Sequence, residues 1–496
     1  MTVATPSTTA APAAVHDPQH SRRWWILAVL AIAQLMVVLD TTVVNIALPS
    51  AQTALHFNDN DRQWIVTGYS LAFGSLLLIG GRLADLLGRK RVFLAGLVGF
   101  AVASAIGGAA TGFPMLVTAR AVQGGFAALL APAALSLVTT TFTEAKERAK
   151  AFGIYGAIAG AGAAVGLLLG GFLTEYASWR WTMYVNLIFA VLAIVGGALW
   201  LQHTPAEERP RLDWPGTITV SAGLFAVVYG FSHAETARWG SGVTVGFLVA
   251  AVVLLAAFVV IQRRAAQPLL PLRVVLDRNR GGAFFAMFAS AVGMFGVFLF
   301  LTYYLQVSQH YSAVQTGVAF LPMVGVMIVS STVVSTQLAN RVSPRILIPV
   351  GMLMAAIGMW ILTGLSLHST YVSHTLPATL ILGVGLGIVF ALAMSMATLG
   401  VHREDAGVAS AAVNTVQQVG GSIGTALLNT LAASAAATYA AAHATNPAVG
   451  QLAAVHSYVV AFWWSAGIFA VAALVVAPLL RPGVLTGAVA ERPVVV

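Results

Sequence analysis

The chain has 496 residues, of which 58% are hydrophobic and only 8% charged, with a net charge of +9. An ordinary soluble domain carries about 25% charged residues, so a soluble enzyme of several domains is excluded. The chain has no cysteine, which removes disulfides, iron–sulfur clusters and thiolate zinc sites, and a nucleic-acid partner would require the basic surplus to gather on one face.

Residues 1–21 are rich in Ala, Thr and Pro and lack an apolar core. They read as a disordered tail and not as a secretory signal. Ser21-Arg22-Arg23-Trp24-Trp25 has a superficial likeness to a twin-arginine export signal, but no small-residue cleavage site follows. It reads instead as inside-facing charge with an aromatic belt. From Trp24 onward apolar runs of about 20 residues recur, each long enough to cross a hydrocarbon core of roughly 30 Å as helix. They predict spans near 24–48, 63–81, 92–110, 114–139, 152–174 and 182–201, then 214–232, 243–261, 282–305, 314–337, 345–367, 375–399, 407–432 and 458–480. The expected architecture is an all-α polytopic membrane protein with about fourteen transmembrane helices. The one long loop predicted between spans, 433–457, is Ala-rich and free of Asp, Glu, Lys and Arg.

The basic residues sort by loop. Of the 25 Lys and Arg, 21 fall on the side of the termini, three (Arg62, Arg180 and Arg238) on the other, and Arg120 alone lies within a span. That asymmetry obeys the positive-inside rule and places both termini in the cytoplasm. It also disperses the basic surplus along a membrane rim, which drops nucleic acid as a partner.

Asp40 is the only carboxylate deep within a span. An ionised acid there costs about 2.5–3.5 kcal/mol on insertion scales, so it must face a wet cavity or a partner. Asp40 precedes Pro49 by nine residues and Arg120 follows Pro114 by six, roughly 14 Å and 9 Å below the outer surface at 1.5 Å per residue. Both therefore belong to the outer half and can meet directly or through water, as a site on a proton or substrate path or as an ion pair that fixes packing. All eleven His fall in the tail or in predicted loops, which argues against a haem or metal enzyme within the membrane. No metal or cofactor is expected.

The loop Gly81-Arg82-Leu83-Ala84-Asp85-Leu86-Leu87-Gly88-Arg89-Lys90-Arg91 is short and dense in charge. Its two glycines suit a tight turn and close helix approach, and Asp85 can cap the next helix or pair with an Arg. The spacing of this loop resembles the G-x-L-a-D-x-x-G-r-k-r signature of the major facilitator superfamily. Leu39-Asp40-Thr41-Thr42-Val43-Val44-Asn45-Ile46-Ala47-Leu48-Pro49 is similar to the first-span motif of its fourteen-span drug:proton antiporters. Leu116, Arg120, Gln123 and Gly124 resemble that family's fourth-span motif, whose Arg is associated with proton transfer. Trp179-Arg180-Trp181 with Asn186 resembles the segment entering the sixth span. Gly162, Gly166, Gly170 and Gly171 keep the register of the antiporter signature in the fifth span, with Leu167 where the family has Pro. The second half matches more weakly, chiefly over 406–421.

The resemblance implies two six-helix bundles, 22–202 and 266–480, joined by an inserted helix pair at 203–265 and flanked by cytoplasmic tails 1–21 and 481–496. It implies a central cavity that opens to either side in turn. The function it implies is proton-driven export of lipophilic small molecules from a plasma membrane by a monomeric, non-enzymatic transporter. Asp40, Arg120, Asn45 and Gln123 are the expected proton and substrate residues. Gly81, Asp85, Gly88 and Arg89 form the expected gating loop, with Asp85 and Arg89 as a latch. Gly162, Gly166, Gly170 and Gly171 form a sliding seam. Gln34, Tyr69, Phe73, Tyr155, Phe285, Tyr303, Asn414 and Gln417 are candidates to line the cavity. The alternatives are an importer, an exporter dedicated to one metabolite or antibiotic, and a transporter-like sensor or membrane enzyme.

Overall fold

The computed structural model describes residues 18–142, 145–202, 213–237, 239–265, 268–339, 341–398 and 406–483. All regular structure in them is helical: α1 (Pro18–Leu55), α2 (Asp59–Leu87), α3 (Arg89–Gly108), α4 (Phe113–Thr141), α5 (Ala145–Tyr176), α6 (Trp181–Trp200), α7 (Trp214–Ala237) and α8 (Gly242–Arg264). A single-turn α9 (Leu272–Val275) precedes α10 (Arg278–Gly296), α11 (Ala313–Val333), α12 (Pro344–Leu362), α13 (Leu376–Thr398), α14 (Ala406–Ala442) and α15 (Val449–Leu479). Short π-helical turns extend α10 through Ser308, follow α11 at Val334–Leu338 and precede α13 at Tyr371–Thr375. Among the described residues twelve helices are long and apolar enough to cross a membrane. The remaining two long helices are α5, whose described apolar stretch is Val165–Tyr176, and α14.

Several predicted boundaries move. The first helix begins at Pro18, within the expected tail; residues 1–17 lie outside the described residues. It also runs through Pro49 to Leu55, because one interior Pro removes a single backbone hydrogen bond while Ala51, Gln52, Ala54 and Leu55 favour helix. It stops at His56, whose φ of 54° gives a left-handed terminus. The predicted loop 433–457 shrinks to 443–448, because α14 extends to Ala442 and α15 starts at Val449. Alanine is the strongest helix former, and 433–442 contains no Gly or Pro. Tyr439 packs between His443 and His456, with ring centroids 4.2 and 4.8 Å apart. His456 and His233 thus lie in helices and His374 in a π-turn, where loops were expected. Of the C-terminal tail, residues 484–496 fall outside the described set.

Packing groups the helices. In the first half α4 packs on α2 and α3, and α6 on α1 and α3, with α5 against α1. In the second half α12 packs on α13 and α15, α11 on α13, and α10 on α14 and α15. The pair α7 and α8 packs on itself, and α7 leans on both α2 and α14. The halves meet along two seams, α5 with α11 and α2 with α14.

Two faces follow from the connections. The near face holds the starts of α1 and α5, tied by Arg23 to Glu147 at 2.5 Å. It also holds the start of α10 and the end of α15, tied by Arg278 donating to the Pro478 carbonyl at 2.7 Å. At the opposite, far face the halves are joined by side chains. Tyr303 Oη donates to Gln52 Oε1 at 3.0 Å and Gln306 Nε2 to the Ile46 carbonyl at 3.2 Å. The Arg62 guanidinium lies 4.0 Å from the centroid of the Tyr303 ring. Glu175, near the end of α5, accepts the Val314 N–H at the start of α11 at 3.0 Å, where an acidic group suits the helix dipole. The far face is therefore shut.

Candidate functional site

Five helices of the first half converge on one carboxylate. Asp40 is 0% and Arg120 2% exposed. The Arg120 Nη1 donates to Asp40 Oδ2 at 2.5 Å. Gln123, one turn further along α4 and so on the same face, donates through Nε2 to Asp40 Oδ1 at 2.7 Å. Asn186 on α6 donates through Nδ2 to the same oxygen at 2.8 Å. Gln123 also accepts from Arg120 Nη1 at 2.6 Å and donates to Ser104 on α3 at 2.7 Å. From α2, the Ile65 carbonyl accepts from Arg120 Nε at 3.4 Å, and the Tyr69 ring lies 4.4 Å from the guanidinium carbon.

The arrangement neutralises both charges and gives the carboxylate three donors, the condition under which a buried ion pair is tolerated. It also makes the carboxylate a tie between α1, α4 and α6. A proton on Asp40 would remove the anion that holds Arg120 and turn an acceptor of hydrogen bonds into a donor. Two buried polar atoms of this cluster have no hydrogen-bond partner among the described residues: Asn186 Oδ1 and Tyr69 Oη.

The structure joins Asp40 and Arg120 by direct contact, one of the two routes expected, and brings Gln123 to the same carboxylate. It leaves Asn45 out, because five residues place it about 140° around α1 from Asp40. Tyr69, expected to line a cavity, is 1% exposed because its ring covers Arg120. Phe73 packs on Tyr69 with centroids 5.8 Å apart. Tyr303, also expected in a cavity, is 3% exposed and closes the far face. Tyr155 Oη donates to Gln34 Oε1 at 2.7 Å, joining α5 to α1. Phe285 on α10 and Asn414 and Gln417 on α14 are half-buried in the second half.

In the gating loop Gly88 has φ 92° and makes the turn between α2 and α3. Arg89 opens α3, and the Asp85 side chain lies outside the described residues. Gly81 is not a point of close approach: a methyl there would meet Pro132 Cβ at 3.6 Å, an ordinary contact. Its neighbour Gly80 touches the α4 backbone at Ala128, with no space for a side chain. Three glycines of the expected seam face α1. A methyl at Gly162 would lie 3.1 Å from Val38 Cγ1, at Gly166 would overlap Thr42, and at Gly170 would lie 2.9 Å from Val43 Cα. Gly171 turns to α11, where a methyl would lie 2.6 Å from the Ala313 carbonyl. The helix passes unbroken through Leu167, which is fully buried. Sequence reasoning missed Ser104, Gln52, Gln306 and Glu175, for which spacing carried no signal.

Comparison with known proteins gives the family. Residues 30–425 match the Major Facilitator Superfamily. The chain is 50% identical over 455 residues to the puromycin resistance protein pur8 of Streptomyces alboniger, covering 91% of this chain and 90% of that protein. It is 39% identical over 411 residues to the cephamycin export protein CmcT of Amycolatopsis lactamdurans, covering 82% and 85%. Among solved structures, an auto-inhibited peptide transporter of the POT family has a TM-score of 0.68 at 13% identity, covering 94% of this chain and 98% of that one. A bacterial homologue of the lysosomal transporter Spinster has a TM-score of 0.62 at 17% identity, covering 93% and 96%. With the family match spanning most of its length and a 50% identical relative covered nearly end to end, this chain is a multi-pass membrane protein of the Major Facilitator Superfamily.

Proposed function

We propose that the protein is a proton-coupled antiporter that exports lipophilic antibiotics from the cytoplasm across the plasma membrane. The observation that carries this reading is the buried Asp40–Arg120 pair, held by Gln123 and Asn186. An ionisable pair inside a membrane marks an ion or substrate path. The lean of basic residues to the near face supports cytoplasmic termini, and reading α5 and α14 as spans gives fourteen. The working unit is a monomer of two bundles, 22–202 and 266–480, moving about the helix pair within 203–265.

In this reading Asp40 exchanges a proton. Its protonation loosens α1 from α4 and α6, and the far-face contacts at Ile46 and Gln52 ride on the same helix. Proton influx supplies about 2.3 kcal/mol per charge at 100 mV. The glycines facing Val38, Thr42 and Val43 let α1 slide on α5, and the loop around Gly88 latches the near face when it closes.

A second reading, export of one antibiotic only, is favoured by relatives whose names specify single antibiotics. Expression in an efflux-deficient bacterial host, challenged with a panel that includes puromycin, lincomycin and cationic dyes, separates the two. Broad resistance that a protonophore abolishes is the expected result. Resistance to one compound supports dedicated export, and resistance indifferent to the protonophore contradicts proton coupling.

A further inference from the structure

The segment Trp179-Arg180-Trp181 that enters α6 has no part in the proposed function. Arg180 is one of three basic residues on the side away from the termini, where the positive-inside pattern disfavours them. It is half-buried there, with its guanidinium carbon 4.7 Å from the centroid of the Trp179 ring. Its Nη1 donates to the Gly108 carbonyl at 2.9 Å and to the Ala110 carbonyl at 2.5 Å. Both carbonyls lie at or just past the C-terminus of α3, where a helix leaves carbonyls unpaired and its dipole favours a cation. The two helices touch at this point. A methyl at Gly108 would overlap the Tyr184 ring in the first turn of α6, and one at Gly107 would lie 3.3 Å from Met183 Sδ.

At the other end of this antiparallel pair the relation is reversed. Lys90, in the first turn of α3, donates through Nζ to the Leu201 carbonyl, and to that of Ala198 at 3.1 Å, at the end of α6. Each helix is thus held at its C-terminus by a cation from the start of the other. Between the two grips the pair carries two groups of the ion-pair site. Ser104, one turn before Gly108 on α3, accepts from Gln123 at 2.7 Å. Asn186, six residues after Arg180 and so roughly 9 Å further along α6, donates to Asp40 Oδ1 at 2.8 Å. Asn186 is 0% exposed, and its Oδ1 has no hydrogen-bond partner among the described residues. The aim of its amide therefore depends on where the α6 backbone stands. Good hydrogen bonds of this kind end near about 3.2 Å, so a slip of α6 by about half an ångström is enough to lose this one.

We propose that Arg180 is a positioning residue for the ion-pair site: its grip on the end of α3 holds α6 in the register from which Asn186 reaches Asp40. The role rests on the reading of Asp40 as the proton carrier, because Arg180 does not touch the carboxylate and acts through Asn186.

The test compares the full-length wild-type protein with Arg180→Ala, Arg180→Lys, Asn186→Ala and the double variant Arg180→Ala/Asn186→Ala, each reconstituted in vesicles. Puromycin-driven proton movement is recorded over a pH series. Asn186→Ala is expected to move the pH midpoint by about one unit, the effect of one lost hydrogen bond to a charged group. Arg180→Ala should move it in the same direction, and the double variant no further than Asn186→Ala alone. Arg180→Lys keeps a donor for α3 but loses the fork, and its shift should be smaller. Lys90 still joins the near ends of the pair, so Arg180→Ala is expected to fold; if it does not, the shift in Arg180→Lys carries the test. A lower maximal rate at an unmoved midpoint, or shifts that add in the double variant, would overturn the positioning role. Thermal midpoints of the same proteins read the grip without reference to protons: losses that fail to add support it, and additive losses overturn it. A wild-type protein that confers puromycin resistance but moves no protons would count against the carrier reading instead, and the thermal midpoints then decide on Arg180.

Discussion

Replacing Arg120 by Met is expected to destabilise the folded protein by about 3–5 kcal/mol, the typical effect of stranding one member of a buried ion pair. The side chain is 2% exposed and its partner Asp40 0%, so no solvent screens the loss. Gln123 and Asn186 continue to donate to Asp40 Oδ1, but Oδ2 loses its donor. The carboxylate is then left as an uncompensated buried charge. Adding Asp40→Asn to Arg120→Met removes that charge, and the double variant is expected to recover most of the stability. Thermal unfolding of the purified proteins in detergent measures this: a large fall for the single variant and a small one for the double. An unchanged midpoint in Arg120→Met would show that the pair does not hold α1 to α4.

The second large effect is steric, with opposite outcomes at adjacent residues. A methyl at Gly80 would overlap the Ala128 carbonyl oxygen, with the carbonyl carbon 2.7 Å and Leu129 Cα 3.0 Å away. All three atoms are backbone of α4, so no rotamer relieves the clash and the helices must part. Gly80→Ala should cost about 1–3 kcal/mol or more, as overpacking of a tight core does. Gly81→Ala meets only Pro132 Cβ at 3.6 Å and removes an interior helical glycine, a gain of about 0.5–1 kcal/mol. Yield and thermal midpoint of the two variants decide it, and equal behaviour would contradict the packing described for α2 and α4.

The Gly80 and Gly81 contrast shows what the sequence could and could not carry. Apolar runs announced the all-helical membrane fold, because crossing a bilayer demands about 20 apolar residues whatever their tertiary partners. The meeting of Asp40 and Arg120 was also legible: each was a lone intramembrane charge, and both lay in the outer half of the membrane. Their supporting residues were harder. Ser104 and Tyr69 look like any small or aromatic residue in a span until α3 and α2 bring them to Gln123 and Arg120. Which of two adjacent glycines faces α4 depends on about 100° of helix rotation, finer than a sequence boundary resolves. Helix ends were misjudged where local chemistry overrode the membrane pattern, at Pro49, which the helix passes through, and in the alanines of 433–442, which keep it going. The far-face closure by Tyr303, Gln306 and Glu175 joins residues more than a hundred positions apart and left no periodic trace.

In the proposed function Asp40 is the group through which proton movement is coupled to export. The most direct measurement is proton flux in vesicles containing the reconstituted protein, recorded with a pH-sensitive dye as an exported antibiotic is added. The wild-type protein should move protons in response to the antibiotic and against its flow. Asp40→Asn should abolish that response while equilibrium binding of the same antibiotic persists. Undiminished antibiotic-driven proton movement in Asp40→Asn would contradict the proposed role of Asp40.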